Sequence, residues 1–148
     1  PTPAREAPTD PAALDLYLRA RHEAHGFWTG ATRSAIALYE QALAISPDSP
    51  LVLAGYARAR LRSWFHNDDL SHGVEAREAA ERAYAAAPNL AEANVALGTW
   101  HMYANEGSRA VQLMRRGSEL GPPPPSTARP SAIRSWPFGS SRQSPALV

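Results

Sequence analysis

Apolar residues recur along most of the chain at intervals of three and four, the spacing that gathers them on one face of a helix. In "PAALDLYLRARHEAH" the stripe is Leu14, Tyr17 and Leu18, and the stem of Arg21 can lie along it. Asp10 and Pro11 open this segment as N-cap and first helical residue. Gly26 and Gly30 bracket a turn, "GFWTG". A second helix is predicted over 32–46, where Ala35, Tyr39 and Ala42 share a face and Pro47 prevents continuation. Ser49-Pro50 repeats the opening signal ahead of a third helix, "PLVLAGYARARLRSWF". The stretch "HNDDLSHG", 66–73, interrupts the apolar pattern and is expected to be a polar loop ending at Gly73. "VEAREAAERAYAAA" is rich in strong helix formers and stops at Pro88. Asn89 and Glu92 have the spacing of a capping pair for a fifth helix, "AEANVALGTWHMYAN". Glu106-Gly107 then turns the chain into a sixth, "SRAVQLMRRGSEL", which ends at Gly121-Pro122.

Pro47, Pro88 and Pro122 therefore each close the second helix of a pair. The last two are 34 residues apart; the first two are 41 apart, with the seven extra residues inside the stretch 66–73. Recurrence near this period is the mark of stacked helical pairs. A generic bundle of alanine-rich helices has no reason to repeat this length. The expected architecture is all-α, a solenoid of three helix-turn-helix units. Ala35, Tyr39 and Ala42 suit it: small residues let two backbones approach, and one large group fills the space beside them.

These residues resemble the tetratricopeptide repeat (TPR) family. The third unit carries the resemblance best, with Leu97-Gly98 in its first helix, Ala110 and Met114 in its second, Gly117 at the second small position and Pro122 closing it. The first unit matches through Ala35, Tyr39, Ala42 and Pro47, with Ala20 where Gly is common. The second has Tyr56-Ala57 for the Leu-Gly pair, then Ala76, Ala80, Ala83 and Pro88, so its large residue has become Ala80. The resemblance implies a right-handed α-α superhelix over 10–122, in repeats of about 10–47, 48–88 and 89–122. Residues 1–9, with three prolines, are expected to be a flexible lead-in, and 123–148 a disordered tail rich in Pro, Ser and Arg. The phrase "LDLYLRARHEAHGFW", leading into "AIALYEQALAISPDSPLVLAGYARARL", is also similar to repeat regions attached to bacterial serine/threonine kinases and other signalling proteins. That context implies a non-catalytic, cytoplasmic protein-interaction scaffold. A stand-alone adaptor that binds an extended or helical peptide in an assembly, secretion or stress system is the alternative.

Composition narrows the chemistry. The chain has 148 residues, no Cys, and fifteen basic residues that are all Arg. Without Cys there is no disulfide, thiolate ligand or Cys nucleophile. Without Lys there is no catalytic lysine of a kinase, and the Gly-rich loop, HRD and DFG motifs are absent too. The net charge of +1 gives no field on the scale that nucleic acid demands. No run of eighteen apolar residues crosses a membrane. The opening "PTPAREAPTD" has neither the form of a secretory signal nor an initiator Met, so the chain is expected to be processed or part of something longer. Charge is uneven: the tail holds Arg129, Arg134 and Arg142 and no acid, whereas the rest has twelve Arg against fourteen acids.

In TPR proteins the first helices line a concave groove. Transferred by alignment, its lining here comprises Tyr17, Arg21, Leu51, Ala54, Arg58, Leu61, Arg62, Val95, Thr99, Met102 and Tyr103. Apolar pockets among three guanidinium groups fit a peptide with an acidic residue. Arg21, Arg58 and Thr99 stand where the carboxylate-clamp members of the family carry Asn, so a chaperone C-terminal tail is not the expected partner. His66, Asp68, Asp69 and His72 could in principle hold a divalent metal, but their spacing matches no standard site and no metal or cofactor is expected. "HEAH" at 22–25 lacks the i, i+4 spacing of a zinc-protease helix. Trp28, Trp64 and Trp100 are expected in packing roles near helix ends. No nucleophile–base pair is evident, so no enzyme is expected. The tail's Pro122–Pro125 run could adopt polyproline II, though its composition favours disorder. The last helix is followed directly by prolines, so Val111, Leu113 and Met114 are expected to leave apolar surface and favour self-association.

Overall fold

The computed structural model describes residues 6–26, 30–67 and 70–122. Trp28, Asp68, Asp69 and the tail 123–148 lie outside them. Six helices follow in order: α1 (Pro11–Ala24), α2 (Ala31–Ile45), α3 (Pro50–Asn67), α4 (Leu70–Ala86), α5 (Ala91–Tyr103) and α6 (Gly107–Leu120). No strand occurs among the described residues. They form three antiparallel pairs, α1 with α2, α3 with α4 and α5 with α6. α3 packs on α2 and touches α1; α5 packs on both α3 and α4. Each pair thus seats its first helix against the pair before it, which makes an α-α solenoid.

Local chemistry explains most of the helix ends. Asp10 caps α1, its carboxylate accepting from the amides of Ala12 and Ala13, with Pro11 at the first helical position. Ser49 does not cap its helix with its side chain in the same way. Its hydroxyl donates to the Glu6 carbonyl, which also accepts from the Leu51 amide in the first turn of α3. An unpaired helix-terminal N–H is thereby satisfied by a distant backbone group. Pro8 is buried as well; residues 1–5 of the expected lead-in lie outside the described residues. α6 is reached through Asn105, whose φ of 63° lies in the left-handed region that Asn tolerates better than most residues.

The stretch 66–73 corrects the loop expectation. α3 runs on to Asn67 and α4 starts at Leu70, so the seven extra residues lengthen both helices of the middle pair. Asn, Ser, His and Gly are mediocre helix formers, and tertiary contacts override that preference. The Trp64 indole lies against Gly73, where a Cβ would come within 3.1 Å of the ring. The Trp100 Nε1 donates to the Gly73 carbonyl at 3.2 Å. His72 sits between Arg60 Nη1 at 2.7 Å and Ser63 Oγ at 3.2 Å.

The core is built largely of alanine. One cluster joins Tyr17, Ala20, Ala35, Tyr39, Ala42, Val52 and Ala59. The other joins Leu53, Ala57, Ala80, Ala83, Leu90, Ala96, Leu97 and Leu113. Leu43, Leu51 and Tyr56 pack against both and link the first junction to the second. Small side chains let the helices approach closely, and the tightest approach is Gly55. A Cβ there would lie 2.6 Å from the Tyr39 ring. Tyr39 is therefore the large group between two small ones that the sequence pattern required.

Candidate functional site

The first helices of the three pairs, α1, α3 and α5, meet around Tyr17. Its ring packs on Tyr39 with centroids 6.2 Å apart, and little of it is left exposed. Burial raises its phenol pKa, and Arg21 opposes the shift through its charge and a hydrogen bond. Glu92 on α5 and Arg58 on α3 also act on this hydroxyl, Glu92 raising its pKa and Arg58 lowering it. Tyr39 lies deeper: burial pushes its phenol up to about 12, against lowering contributions from Arg58, Arg21 and Arg62. Three helices thus bring Arg21, Arg58, Arg62 and Glu92 about one pair of phenols packed at a tilt of 53°.

The α3 wall is set by helical spacing. Arg58, Arg62 and Phe65 are four and three residues apart and share one face. Arg62 donates to the Ala24 carbonyl at the C-terminal end of α1, where the helix dipole favours a cation. Arg21, Arg58 and Arg62 are exposed and enter no ion pair with a carboxylate among the described residues. Beyond them the wall turns aromatic. Phe65, 71% exposed, stacks on Tyr103 of α5 with centroids 5.8 Å apart and planes at 22°. Trp64 meets the same Tyr103 edge-on at 6.0 Å. Met102 is exposed beside it in sequence, and Val95 and Thr99 are half-buried along α5. The Thr99 hydroxyl is engaged with the Val95 carbonyl of its own helix at 2.8 Å.

The expected lining residues therefore divide. Arg21, Arg58, Arg62 and Met102 are exposed; Leu51, Val95, Thr99 and Tyr103 are half-buried. Tyr17 forms the floor, with only its edge accessible. Ala54 and Leu61 are fully buried by the packing of α3 against its neighbours and offer no surface. Two residues of the site were not among those expected. Phe65 lies seven residues after Arg58, so the spacing itself could have pointed to it. Glu92 was read as half of a capping pair. Instead Leu90 is the N-cap of α5, with no side-chain cap bond, and Asn89 accepts from Arg116 at 3.2 Å. Glu92 is left to face Tyr17.

Outside this surface, no cluster of metal ligands occurs among the described residues. His72 is held within a polar network on α2, α3 and α4. Arg60, only 14% exposed, reaches Glu40 at 2.8 Å, Glu75 at 2.5 Å and the Tyr56 hydroxyl at 3.0 Å. No helix among the described residues is long and apolar enough to cross a membrane.

No family model and no curated protein matches the sequence. Among solved structures, the chain is similar to the second TPR domain of Spaghetti (RPAP3), which was solved bound to the HSP90 peptide SRMEEVD. The likeness has a TM-score of 0.57 at 20% identity and covers 75% of this chain and 94% of that one. The fold is that of a tetratricopeptide repeat domain. The three helix pairs correspond to three units of that fold, and the surface around Tyr17 lies on their first helices.

The chemistry of this surface is graded. Guanidinium groups at one end, without a carboxylate partner among the described residues, can hold one by charge-assisted hydrogen bonds. The aromatic shelf at the other can hold an apolar side chain. Glu92 supplies a single acceptor beside the floor.

Proposed function

We propose that the chain is a non-catalytic protein-interaction module whose α1/α3/α5 surface binds an acidic peptide carrying an apolar or aromatic residue. The observation that carries this reading is the run Arg58, Arg62, Phe65 on one face of α3, with both cations free of ion pairs among the described residues and the ring exposed. A charged head followed by an aromatic shelf selects for a carboxylate and an apolar group at a set separation. The peptide in the similar structure, SRMEEVD, is itself acidic, which supports the reading. The Arg-for-Asn positions favour a different acidic sequence from that tail, because a guanidinium fork reads carboxylate geometry that an amide does not.

The module belongs, in this proposal, to a cytoplasmic bacterial signalling protein such as a serine/threonine kinase, as its accessory arm. Reading the frame upstream of Pro1 separates this from a free-standing adaptor: HRD and DFG motifs in frame support the first, and a start codon within a few residues contradicts it.

The binding claim is tested by selecting a random dodecapeptide library on the immobilised chain. The expected result is enrichment of Asp or Glu together with Phe, Trp, Leu or Met at a recurring separation. Enrichment that is the same on the Arg58→Glu/Arg62→Glu variant, or enrichment of basic peptides, overturns the reading.

A further inference from the structure

The first interior junction of this solenoid joins helices by a small-against-large contact and an ion pair, and the two ends of the molecule carry opposite charges at the ion-pair positions. Aligned on their closing prolines, Tyr39, Ala80 and Met114 are equivalent on the second helices, and so are the residues that follow, Glu40, Glu81 and Arg115. Aligned on the small residues Ala20, Ala57 and Gly98, the first helices bring Leu18, Gly55 and Ala96 into register, and likewise Glu23, Arg60 and His101. At the first junction Gly55 lies against the Tyr39 ring, and Arg60 pairs with Glu40 at 2.8 Å. At the second junction the equivalent positions are Ala80 and Ala96, and Glu81 and His101 pair instead with Arg77 and Glu106, so the contact and the ion pair are features of the first junction.

At the outer ends these positions have no interior partner. On the N-terminal face, Leu18 is 52% exposed and lines a hollow of about 660 Å³ between α1 and α2, together with His22, Glu23, Ala37 and Leu38. On the C-terminal face, Val111 of α6 is 58% exposed and Met114 half-buried; Leu113, expected on that surface, is buried. The position that is Arg60 inside the molecule is Glu23 at the N-terminal end. The position that is Glu40 inside is Arg115 at the C-terminal end. Each charge is inverted, so the pair stays complementary. Neither Glu23 nor Arg115 enters an ion pair among the described residues, whereas Arg19, which also lines the hollow, has Asp15 at 3.9 Å.

We propose that this chain associates end to end with a second copy of itself. Val111 and Met114 of one copy seat in the Leu18–Leu38 hollow of the next, and Arg115 pairs with Glu23 across the junction. The contact joins two different faces, so it does not close on a dimer. Each added copy leaves one free end of each kind, and the array grows openly. The junction uses neither Arg58 nor Phe65, so it stands or falls separately from peptide binding.

Sedimentation velocity of the full chain over a wide concentration range at low salt tests this. The expected result is a weight-average mass that rises above 16.0 kDa without a plateau at the dimer. Glu23→Arg and Arg115→Glu, each alone, are expected to weaken association about tenfold or more, because each opposes like charges at the junction. The double variant Glu23→Arg/Arg115→Glu is expected to restore it, an outcome that a merely misfolded single variant does not produce. A monomer at all concentrations, with residues 123–148 or nothing covering α6, overturns the proposal. So does a closed dimer, or association unchanged by either reversal.

Discussion

Single residues carry large consequences where helices cross. Gly55 has a hydrogen where any other residue would place a Cβ 2.6 Å from the Tyr39 ring, and that ring is locked against Tyr17. Gly55→Ala gains about 1 kcal/mol of helix propensity. It forces apart a packed core, at about 1–3 kcal/mol. The variant is expected to unfold at lower urea concentration than the parent, and an unchanged or raised midpoint contradicts the packing argument. Tyr39 itself makes stability depend on alkaline pH. The unfolded chain loses the phenol proton near 10, whereas the folded chain keeps it to about 12. Between those values the folded state binds more protons. The contribution is fully present below pH 10 and is lost as pH rises toward 12. Urea titrations at pH 8 and pH 11 are expected to show that Tyr39→Phe loses about 1 kcal/mol less over this step than the parent. Tyr17 and Tyr56 shift in the same direction and add to the slope in both proteins. Equal losses in parent and variant contradict a buried, neutral Tyr39.

At the scale of elements, the periodicity and the prolines located all six helices, because an apolar stripe and a chain stop are both local signals. Three features were not local. The middle pair is longer than its composition suggests, since Trp64, Trp100 and Arg60 reach 66–73 from other turns or other helices. The Glu6 carbonyl accepts from Ser49 and Leu51, far along the chain. Ala54 and Leu61 share a helix with the groove residues but are turned inward, which depends on where neighbouring helices cross. The Arg60 network shows the energetic side of such long-range contacts. Arg60 ties α3 to Glu40 on α2 and Glu75 on α4 while stacking over Tyr56 at 5.2 Å. Arg60→Ala strands both partly exposed carboxylates and removes this packing. The expected loss is about 2 kcal/mol, between that of an exposed pair and that of a buried one, because the acids remain half-solvated. Arg60→Met, which keeps the stem, is expected to recover part of it. A loss below about 0.5 kcal/mol for Arg60→Ala, read from denaturation midpoints, contradicts a stabilising role for the network.

The whole molecule presents two kinds of surface from one repeat. The side formed by α1, α3 and α5 gathers arginines without a carboxylate partner and the exposed Phe65 ring, and the outer faces of the first and last pairs expose Leu18 and Val111. The arginines were named by alignment to the TPR family, and Arg58 and Arg62 lie four residues apart on one helix. The aromatic shelf was not legible in the sequence, because Phe65 and Tyr103 come from different repeats and meet only when α5 packs on α3. Function at this scale lies in the residues that vary between repeats, since the small and apolar positions they share are spent on packing.

The most direct measurement of the central claim is a fluorescence anisotropy titration with a labelled acidic peptide from the library selection. It compares the parent chain, Arg58→Glu/Arg62→Glu, and Arg33→Glu/Arg109→Glu, which changes net charge equally at exposed sites on α2 and α6. At least about tenfold weaker binding is expected for the α3 reversal, a loss of roughly 1.4 kcal/mol or more. The α2/α6 reversal is predicted to stay within about twofold of the parent, since exposed charges beyond a Debye length are screened. Equal weakening by both reversals, or none by the first, contradicts a groove on α1, α3 and α5.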